Sequence, residues 1–226
     1  MQKQSSSETL PNVLKLTVPS DIGVQSQSER MIDAMIASCA EKTYSETTIG
    51  DVVRGASISR TTFYKRFPDK RSCFDAALDH GIELVASTAA ASRSSDDSPP
   101  EAVRKAAGAV LELLASQPDL ARLLAVEAVA VDPAISGRYR ALLLPAVEGL
   151  WNGDRPTEPR TSPSLAFGRG QLLIFNQVAA GRAEDLPDLL PEVVYLALAP
   201  FAGHQEALQQ SRQVDEDSQP QPATPS

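Results

Sequence analysis

Residues 48–70, TIGDVVRGASISRTTFYKRFPDK, predict two short helices joined by a tight turn. Thr48 can cap a first helix over about 48–55, because Asp51 three residues later completes an acidic variant of the capping box. Ser59 can cap a second helix over about 60–66. Pro68 ends it, since proline lacks an amide donor and restricts the residue before it. Two short helices around a turn of three residues, 56–58, are the signature of a helix-turn-helix motif.

The second helix of this motif has two contrasting faces. We expect Val52 and Val53 of the first helix to pack against Phe63 and Phe67, which would hold the two helices at a fixed angle. The opposite face then carries hydroxyls and cations suited to phosphates and base edges. These residues are Arg60, Thr61, Thr62, Tyr64 and Lys65. The pattern favours double-stranded DNA as the partner.

The charge distribution agrees with one basic end on an acidic body. The chain has a net charge of −8, which taken alone argues against a nucleic-acid partner. Residues 54–71, however, contain six basic residues and one acidic residue, whereas residues 72–226 contain 11 basic and 21 acidic residues. A local basic patch suits contact with phosphate, although a merely solvated face gives the same composition.

Three segments together resemble the N-terminal domain of tetracycline-repressor (TetR) family regulators. They are MIDAMIASCAEKTY (31–44), TTIGDVV (47–53) and SISRTTFYKRFPDK (57–70). The most specific part is Thr-x-Tyr followed by Phe-Pro-x-Lys between Ser59 and Lys70. Two positions depart from the family, which usually has glycine where this chain has Thr43 and Ser57. If Ser57 adopts a positive φ, it stores about 1 kcal/mol of strain.

The resemblance implies roles for individual residues in DNA binding. Family members tend to touch phosphates at the positions of Thr48, Ser59, Thr62, Tyr64 and Lys70. They tend to face bases at the positions of Arg60, Thr61 and Lys65. The helix N-terminus adds partial positive charge toward phosphate.

The whole chain is predicted to be all-α, with a helix-turn-helix domain joined to a helical ligand-binding and dimerisation domain. Apolar periodicity near 3.6 residues predicts further helices at about 101–116, 119–130, 134–151, 164–180 and 187–208. Residues 1–26 are interpreted as a flexible arm and 27–72 as the DNA-binding domain. Residues 73–208 are interpreted as the effector-binding and dimerisation domain, and the polar stretch 209–226 as a disordered tail.

The helices at 164–180 and 187–208 are apolar enough to need a covering partner. A four-helix contact between two copies, as the resemblance implies, would cover both, and burial within one subunit is the alternative. The resemblance also implies a small-molecule pocket. Candidates combine apolar walls with a few polar groups: Glu127, Arg138, Tyr139, Trp151, Gln171, Phe175 and Asn176.

An enzyme is the competing class, and we expect none. His80 and His204 are the only histidines, and neither has metal-ligand spacing with cysteine or a carboxylate. There is no glycine-rich phosphate loop or nucleophile elbow, so no cofactor and no metal are expected. Cys39 and Cys73 sit in apolar helical patterns and are expected to be buried free thiols. Without a secretory signal or a membrane span, a cytoplasmic protein is expected.

The sequence therefore predicts a homodimeric regulator that binds a near-palindromic operator and is released from it by a small molecule. A neutral or cationic effector suits the acidic body better than an anionic one. The long helix that begins near Asp69 is expected to act as the lever, with Gly81 as a soft point. A regulator without a small-molecule effector, and an activator rather than a repressor, remain alternatives.

Overall fold

The computed structural model describes residues 26–148 and 162–217, and these two stretches are helical without any strand. The all-α prediction is thereby confirmed. The first four helices are α1 (Gln27–Glu41), α2 (Ile49–Gly55), α3 (Arg60–Arg66) and α4 (Lys70–Ala91). They are followed by α5 (Pro99–Ser116), α6 (Pro118–Arg122), a π-helical segment (Leu123–Glu127), α7 (Ala128–Val131), α8 (Ile135–Glu148), α9 (Pro163–Ala179), a 3₁₀ helix (Ala183–Leu189), α10 (Leu190–Ala202) and α11 (His204–Asp217).

The helix-turn-helix begins and ends where its caps predict. The Thr48 hydroxyl accepts the Asp51 N–H at 3.2 Å, and the Asp51 carboxylate accepts the Thr48 N–H at 2.9 Å. This reciprocal pair satisfies two amides that α2 leaves without a partner. Ser59 caps α3 by accepting the Thr62 N–H at 3.0 Å, and Asp69 caps α4.

An apolar core holds α1 to α4 together. Val52 and Phe63 are completely buried and Phe67 is 7% exposed, while Val53 packs at the edge of the same core. The Phe63 and Phe67 rings are tilted, with centroids 5.8 Å apart. The predicted apolar face of the motif is therefore confirmed.

Cys39 and Cys73 are free and buried in the same core, as expected. Loss of hydration raises the pKa of the Cys39 thiol to about 11 and that of Cys73 to about 12. Both thiols are therefore protonated near neutral pH.

Helix α4 belongs to both halves of the molecule. The predicted domain boundary between residues 72 and 73 falls in its first turn. Its buried Phe74 and Leu78 lie in one continuous apolar cluster that extends from Met31 in α1 to Leu186 in the 3₁₀ helix. The two domains thus share a core, so a displacement of one is felt by the other.

The segment predicted as a single helix over 119–130 is interrupted by the π-helical turn Leu123–Glu127. Such turns insert one extra residue and change the direction in which the following side chains project. Glu127, the last residue of this turn, is 4% exposed.

Gly81 allows α4 to approach this interrupted helix closely. A Cβ at Gly81 would lie 2.8 Å from Leu120 Cδ1 and 3.0 Å from Leu124 Cδ2. Gly81 was predicted as a soft point, but it is buried and its lack of a side chain is explained by packing.

The C-terminal boundary differs from the prediction. Gly203, with φ of 82°, separates α10 from α11, and residues 209–217 are helical rather than disordered. Ala207, Gln210 and Val214 recur along one face of α11 and are buried. This face packs on α10 and α5, and Gln, Glu and Arg elsewhere in the helix are good helix formers. Residues 1–25 and 218–226, assigned to the arm and the tail, lie outside the described residues.

Candidate nucleic-acid interface

The outer face of α3 presents the side chains that the sequence predicts. Arg60, Thr61, Tyr64 and Lys65 are exposed. Tyr64 is 54% exposed although its ring also meets the Phe63 ring edge-on at 5.6 Å. Neither Arg60 nor Lys65 forms a hydrogen bond or ion pair with any other residue that the structure describes. Their donors therefore face solvent and can reach an external acceptor.

The hydroxyls near the start of α3 form a small local network. Ser59 Oγ lies 2.9 Å from Thr62 Oγ1 as well as accepting the Thr62 N–H. Ser59 is exposed and Thr62 is half-buried. Each hydroxyl has hydrogen-bonding capacity left, because it can donate and accept. Both are placed to meet a phosphate oxygen that approaches the helix N-terminus.

A carboxylate near this surface is neutralised by two cations. The Thr48 hydroxyl donates to Asp51 Oδ2 at 2.7 Å, and Lys42 and Arg54 each lie 3.1 Å from Asp51 Oδ1. Hydrogen bonds from Thr48 and then from Lys42 hold the pKa of Asp51 far below its usual range. The ionised Asp51 thus caps α2 while its charge is offset beside exposed Thr48, a predicted phosphate contact.

The turn between α2 and α3 contains a left-handed residue. Ser57 has φ of 54°, the conformation that the glycine of related sequences adopts at no steric cost. Ser57 therefore has the positive φ for which about 1 kcal/mol of backbone strain is expected. Ser57 N–H and Ile58 N–H still bond back to the Arg54 and Val53 carbonyls, so the turn keeps its geometry.

Lys70 is placed differently from the prediction of a phosphate contact. Its Nζ donates to the Tyr44 carbonyl at 2.7 Å and to the Thr47 carbonyl at 2.9 Å, and lies 4.1 Å from the Tyr44 ring centroid. Two of its three donors are therefore engaged inside the chain. Lys70 attaches the start of α4 to the α1–α2 loop.

Glu127 was predicted to line a ligand pocket, but its carboxylate is directed to the DNA-binding domain. Oε2 accepts the Tyr44 N–H at 2.8 Å, and Oε1 lies 3.4 Å from Arg122 Nη2. A contact between residues so far apart in sequence leaves no periodic signal. Nothing in the sequence pattern indicated the Tyr44 segment as a junction.

The other pocket candidates that the structure describes lie on α8 and α9. Arg138 is exposed and pairs with Asp79 at 3.7 Å. Tyr139 donates its hydroxyl to the Leu124 carbonyl at 3.4 Å, and burial raises its pKa. Gln171 and Phe175 are half-buried and Asn176 is exposed on α9, whereas Trp151 lies outside the described residues. A cavity of about 340 Å³ lies between α1, α4 and the α5–α6 turn, and its lining includes none of the described candidates.

Large apolar side chains are exposed on α8 and α9. Leu165 and Leu172 are 54% and 56% exposed and lie on one face of α9, and Leu142 on α8 is 50% exposed. By contrast, α10 packs against α5, α9 and α11, and its apolar residues are buried or half-buried. Of the two helices predicted to need a partner, α9 keeps an uncovered apolar stripe.

Two features of other classes of protein are absent from the described residues. None of their helices is long and apolar enough to cross a membrane. They contain no group of three or more histidine, cysteine or carboxylate side chains able to hold a metal ion.

The fold and the site define a class of protein. A helix-turn-helix with a polar, basic outer face lies at the N-terminus of an otherwise helical chain. This is the architecture of a DNA-binding transcriptional regulator.

The comparison with known proteins makes the class specific. Residues 31–77 match the model of "Bacterial regulatory proteins, tetR family". The HTH-type transcriptional regulator EthR of Mycolicibacterium smegmatis is 28% identical over 166 residues, which is 70% of this chain and 75% of that protein. Residues 31–77 of the chain therefore carry the N-terminal domain of the tetR family of bacterial regulatory proteins.

Solved structures of other regulators share the fold. The fatty acid degradation regulator FadR of Bacillus halodurans has a TM-score of 0.63 at 19% identity, covering 78% of this chain and 96% of that one. FadR of Bacillus subtilis in complex with stearoyl-CoA has a TM-score of 0.58 at 16% identity, covering 76% and 98%. An ArpA-like γ-butyrolactone receptor has a TM-score of 0.59 at 17% identity, covering 85% and 98%.

Proposed function

We propose that this regulator is a homodimeric repressor that inserts α3 into the major groove of a near-palindromic operator. The observation that carries the proposal is the exposed face of α3, where Arg60 and Lys65 have no bonding partner among the described residues. Arg60, Thr61 and Lys65 are assigned to base edges, and Thr48, Ser59, Thr62 and Tyr64 to phosphates. Bidentate contact between arginine and guanine is the commonest specific interaction in the major groove.

Selection of duplexes from a random-sequence library, followed by footprinting, tests this assignment. Arg60→Ala is expected to change the selected sequence and to cost about 1–3 kcal/mol on the wild-type site. Tyr64→Phe is expected to weaken binding to all duplexes alike. Arg212→Ala, at an exposed position on α11, is the matched control for loss of one positive charge. An Arg60→Ala protein that selects the wild-type sequence would refute the base contact.

The dimer is assigned to the exposed stripe of α9, together with Leu142 of α8. Leu165 and Leu172 are separated by two helical turns and project from the same face of α9, so a second copy can cover both. Two recognition helices would then face half-sites about 34–36 Å apart, or multiples of this distance. A footprint over a single asymmetric half-site would contradict the dimer.

A small molecule is proposed to weaken DNA binding. Two structural neighbours support this proposal: FadR of Bacillus subtilis was solved in complex with stearoyl-CoA, and another neighbour is a γ-butyrolactone receptor. In this chain the half-buried Tyr139, Gln171 and Phe175 on α8 and α9 remain candidates for the ligand contact. The acidic residues beyond 71 favour a neutral lactone over an anionic acyl-CoA.

Calorimetry with these two ligand types, with and without the selected duplex, tests whether a ligand controls DNA binding. By linkage, a ligand that lowers DNA affinity must bind less tightly when DNA is present, by the same factor. Equal ligand affinity in both states would leave a DNA-binding regulator without this effector response. A reporter placed behind the selected site distinguishes repression from activation, since a repressor lowers its expression.

A further inference from the structure

The segment between α1 and α2 is fixed at Tyr44, whose backbone N–H and carbonyl bond to side chains of opposite charge. The Tyr44 N–H donates to the Glu127 carboxylate at 2.8 Å, and the Tyr44 carbonyl accepts from the Lys70 ammonium at 2.7 Å. The Tyr44 ring also packs on Phe74, with centroids 4.4 Å apart. Hydrogen bonds to ionised groups are about twice as strong as neutral ones. This backbone is therefore fixed from two directions.

The two charges come from different parts of the chain. Lys70 is the first residue of α4, next to the DNA-reading helix, whereas Glu127 ends the π-helical turn in the second domain. Tyr44 thus links the loop that precedes α2 to both. Thr48, only four residues further on, caps α2 and faces solvent as a predicted phosphate contact.

The contact with Tyr44 is the tighter of the two that Glu127 makes. Arg122 reaches the other carboxylate oxygen only at 3.4 Å. Glu127 is 4% exposed, and a buried carboxylate is costly unless it is paired and hydrogen-bonded. The π-helical turn is the local feature that accompanies its inward placement. Close packing at Gly81 holds the same segment against α4, so that the carboxylate has a defined position.

We infer that Glu127 is a positioning residue for DNA recognition, which holds the Tyr44 amide and thereby sets the position of Thr48 and α2 relative to the second domain. The inference rests on the proposed DNA binding. The Tyr44–Glu127 hydrogen bond would then transmit displacements between the π-helical turn and the helix-turn-helix. Movement of that turn by a ligand would lengthen this bond first.

Two substitutions separate the hydrogen bond from the charge. Glu127→Met keeps the approximate size and removes the acceptor. Glu127→Gln keeps an acceptor oxygen and removes the charge. Glu112→Met, at an exposed position on α5, is the matched control. Residue-resolved hydrogen exchange of the Tyr44 amide reports directly on the bond, and affinity for a duplex selected by the wild-type protein reports on positioning.

We expect Glu127→Met to speed exchange of the Tyr44 amide by about 10- to 100-fold, as loss of a hydrogen bond to a charged group implies. The same variant should bind the selected duplex about tenfold more weakly with an unchanged salt dependence, because no phosphate contact is lost. Glu127→Gln should lie between wild type and Glu127→Met in both measurements, and Glu112→Met should match wild type. Circular dichroism establishes that each variant is folded at the measurement temperature.

Unchanged Tyr44 exchange or unchanged DNA affinity in folded Glu127→Met would overturn the inference. If Glu127→Met does not fold, Glu127→Gln decides by the same two measurements, and values equal to wild type in either one overturn it. If the wild-type protein selects no duplex, the proposed function fails. Exchange of the Tyr44 amide then still establishes whether Glu127 holds this segment.

Discussion

The polar residues around α3 divide into those that face solvent and those that bind their own chain. Arg60, Tyr64 and Lys65 are exposed, whereas Lys70 donates to two loop carbonyls. The difference matters because a lysine bound to carbonyls inside the chain has fewer donors left for a phosphate. We therefore predict that Lys70 affects DNA affinity through the position of the loop.

Lys70→Met is expected to lower the free energy of unfolding by about 1.5–3 kcal/mol, the range for hydrogen bonds to charged groups. The reason is that the Tyr44 and Thr47 carbonyls lose their donor. Urea denaturation measures the effect, and Lys65→Met, at an exposed position, serves as the control with unchanged stability.

The salt dependence of DNA binding distinguishes this role from a phosphate contact. Each lost phosphate contact reduces the magnitude of the slope of log K for DNA binding against log salt concentration by about 0.9. Lys70→Met should leave that slope as it is in wild type. If Lys70→Met has a salt slope of smaller magnitude and wild-type stability, Lys70 contacts a phosphate directly.

Ser57→Gly is expected to stabilise the protein by up to about 1 kcal/mol. Glycine adopts the φ of 54° without steric cost, although it also gains entropy in the unfolded chain. Thermal unfolding measures the change, with Ser95→Gly in the exposed turn before α5 as the control that brings no gain. A lower Tm for Ser57→Gly would mean that the serine conformation is not strained.

At the scale of elements, the contact between α4 and the interrupted helix decides how the two domains sit together. The π-helical turn places Glu127 inward, and Gly81 lets Leu120 and Leu124 approach α4. Gly81 lies in α4, which begins with Lys70, and both Lys70 and Glu127 bond to Tyr44 in the loop before α2.

Gly81→Ala is expected to destabilise the protein by about 1 kcal/mol net. Overpacking costs about 1–3 kcal/mol, and the higher helix propensity of alanine offsets up to about 1 kcal/mol of that. Gly137→Ala in α8 is the control, because nothing lies within 4 Å of a Cβ there. Urea denaturation compares the two, and a gain in stability for Gly81→Ala would show that the leucine side chains move aside freely.

At the scale of the whole molecule, charge and apolar surface are segregated. The basic residues cluster around α3, and the region beyond residue 71 is acidic. Helix α11 covers part of α10, whereas the stripe on α9 stays open. The molecule thus presents one face suited to DNA and another suited to a second copy.

The double substitution Leu165→Arg with Leu172→Arg is expected to yield monomers, because two charges in an apolar interface would be desolvated without partners. Light scattering after size exclusion measures the mass. Ala130→Arg, at an exposed position on α7, is the control and should remain dimeric. If the double variant is still dimeric, the interface lies on another surface.

The local elements were predictable because their signals lie within a few residues of each other. Capping boxes, proline stops and apolar periodicity are short-range, so the bounds of α2 and α3 and the exposed face of α3 followed from residues 48–70. For Ser57 the sequence supplied only a condition, that a positive φ would be strained, and the structure decided that φ is 54°. Composition was a poorer guide at 209–217, where Gln210 and Val214 are buried on the same face as Ala207 despite the polar average.

The sequence by itself therefore determined the all-α class, the helix-turn-helix and its polar face, since each depends on neighbours along the chain. Only the tertiary structure decided the contacts of Lys70, Gly81 and Glu127. Their partners are distant in sequence, and a contact between such residues depends on how helices are packed rather than on any local pattern. A lysine beside a DNA-reading helix and a glutamate in an apolar helix have many possible partners. The packing of the helices determines which partner each of them has.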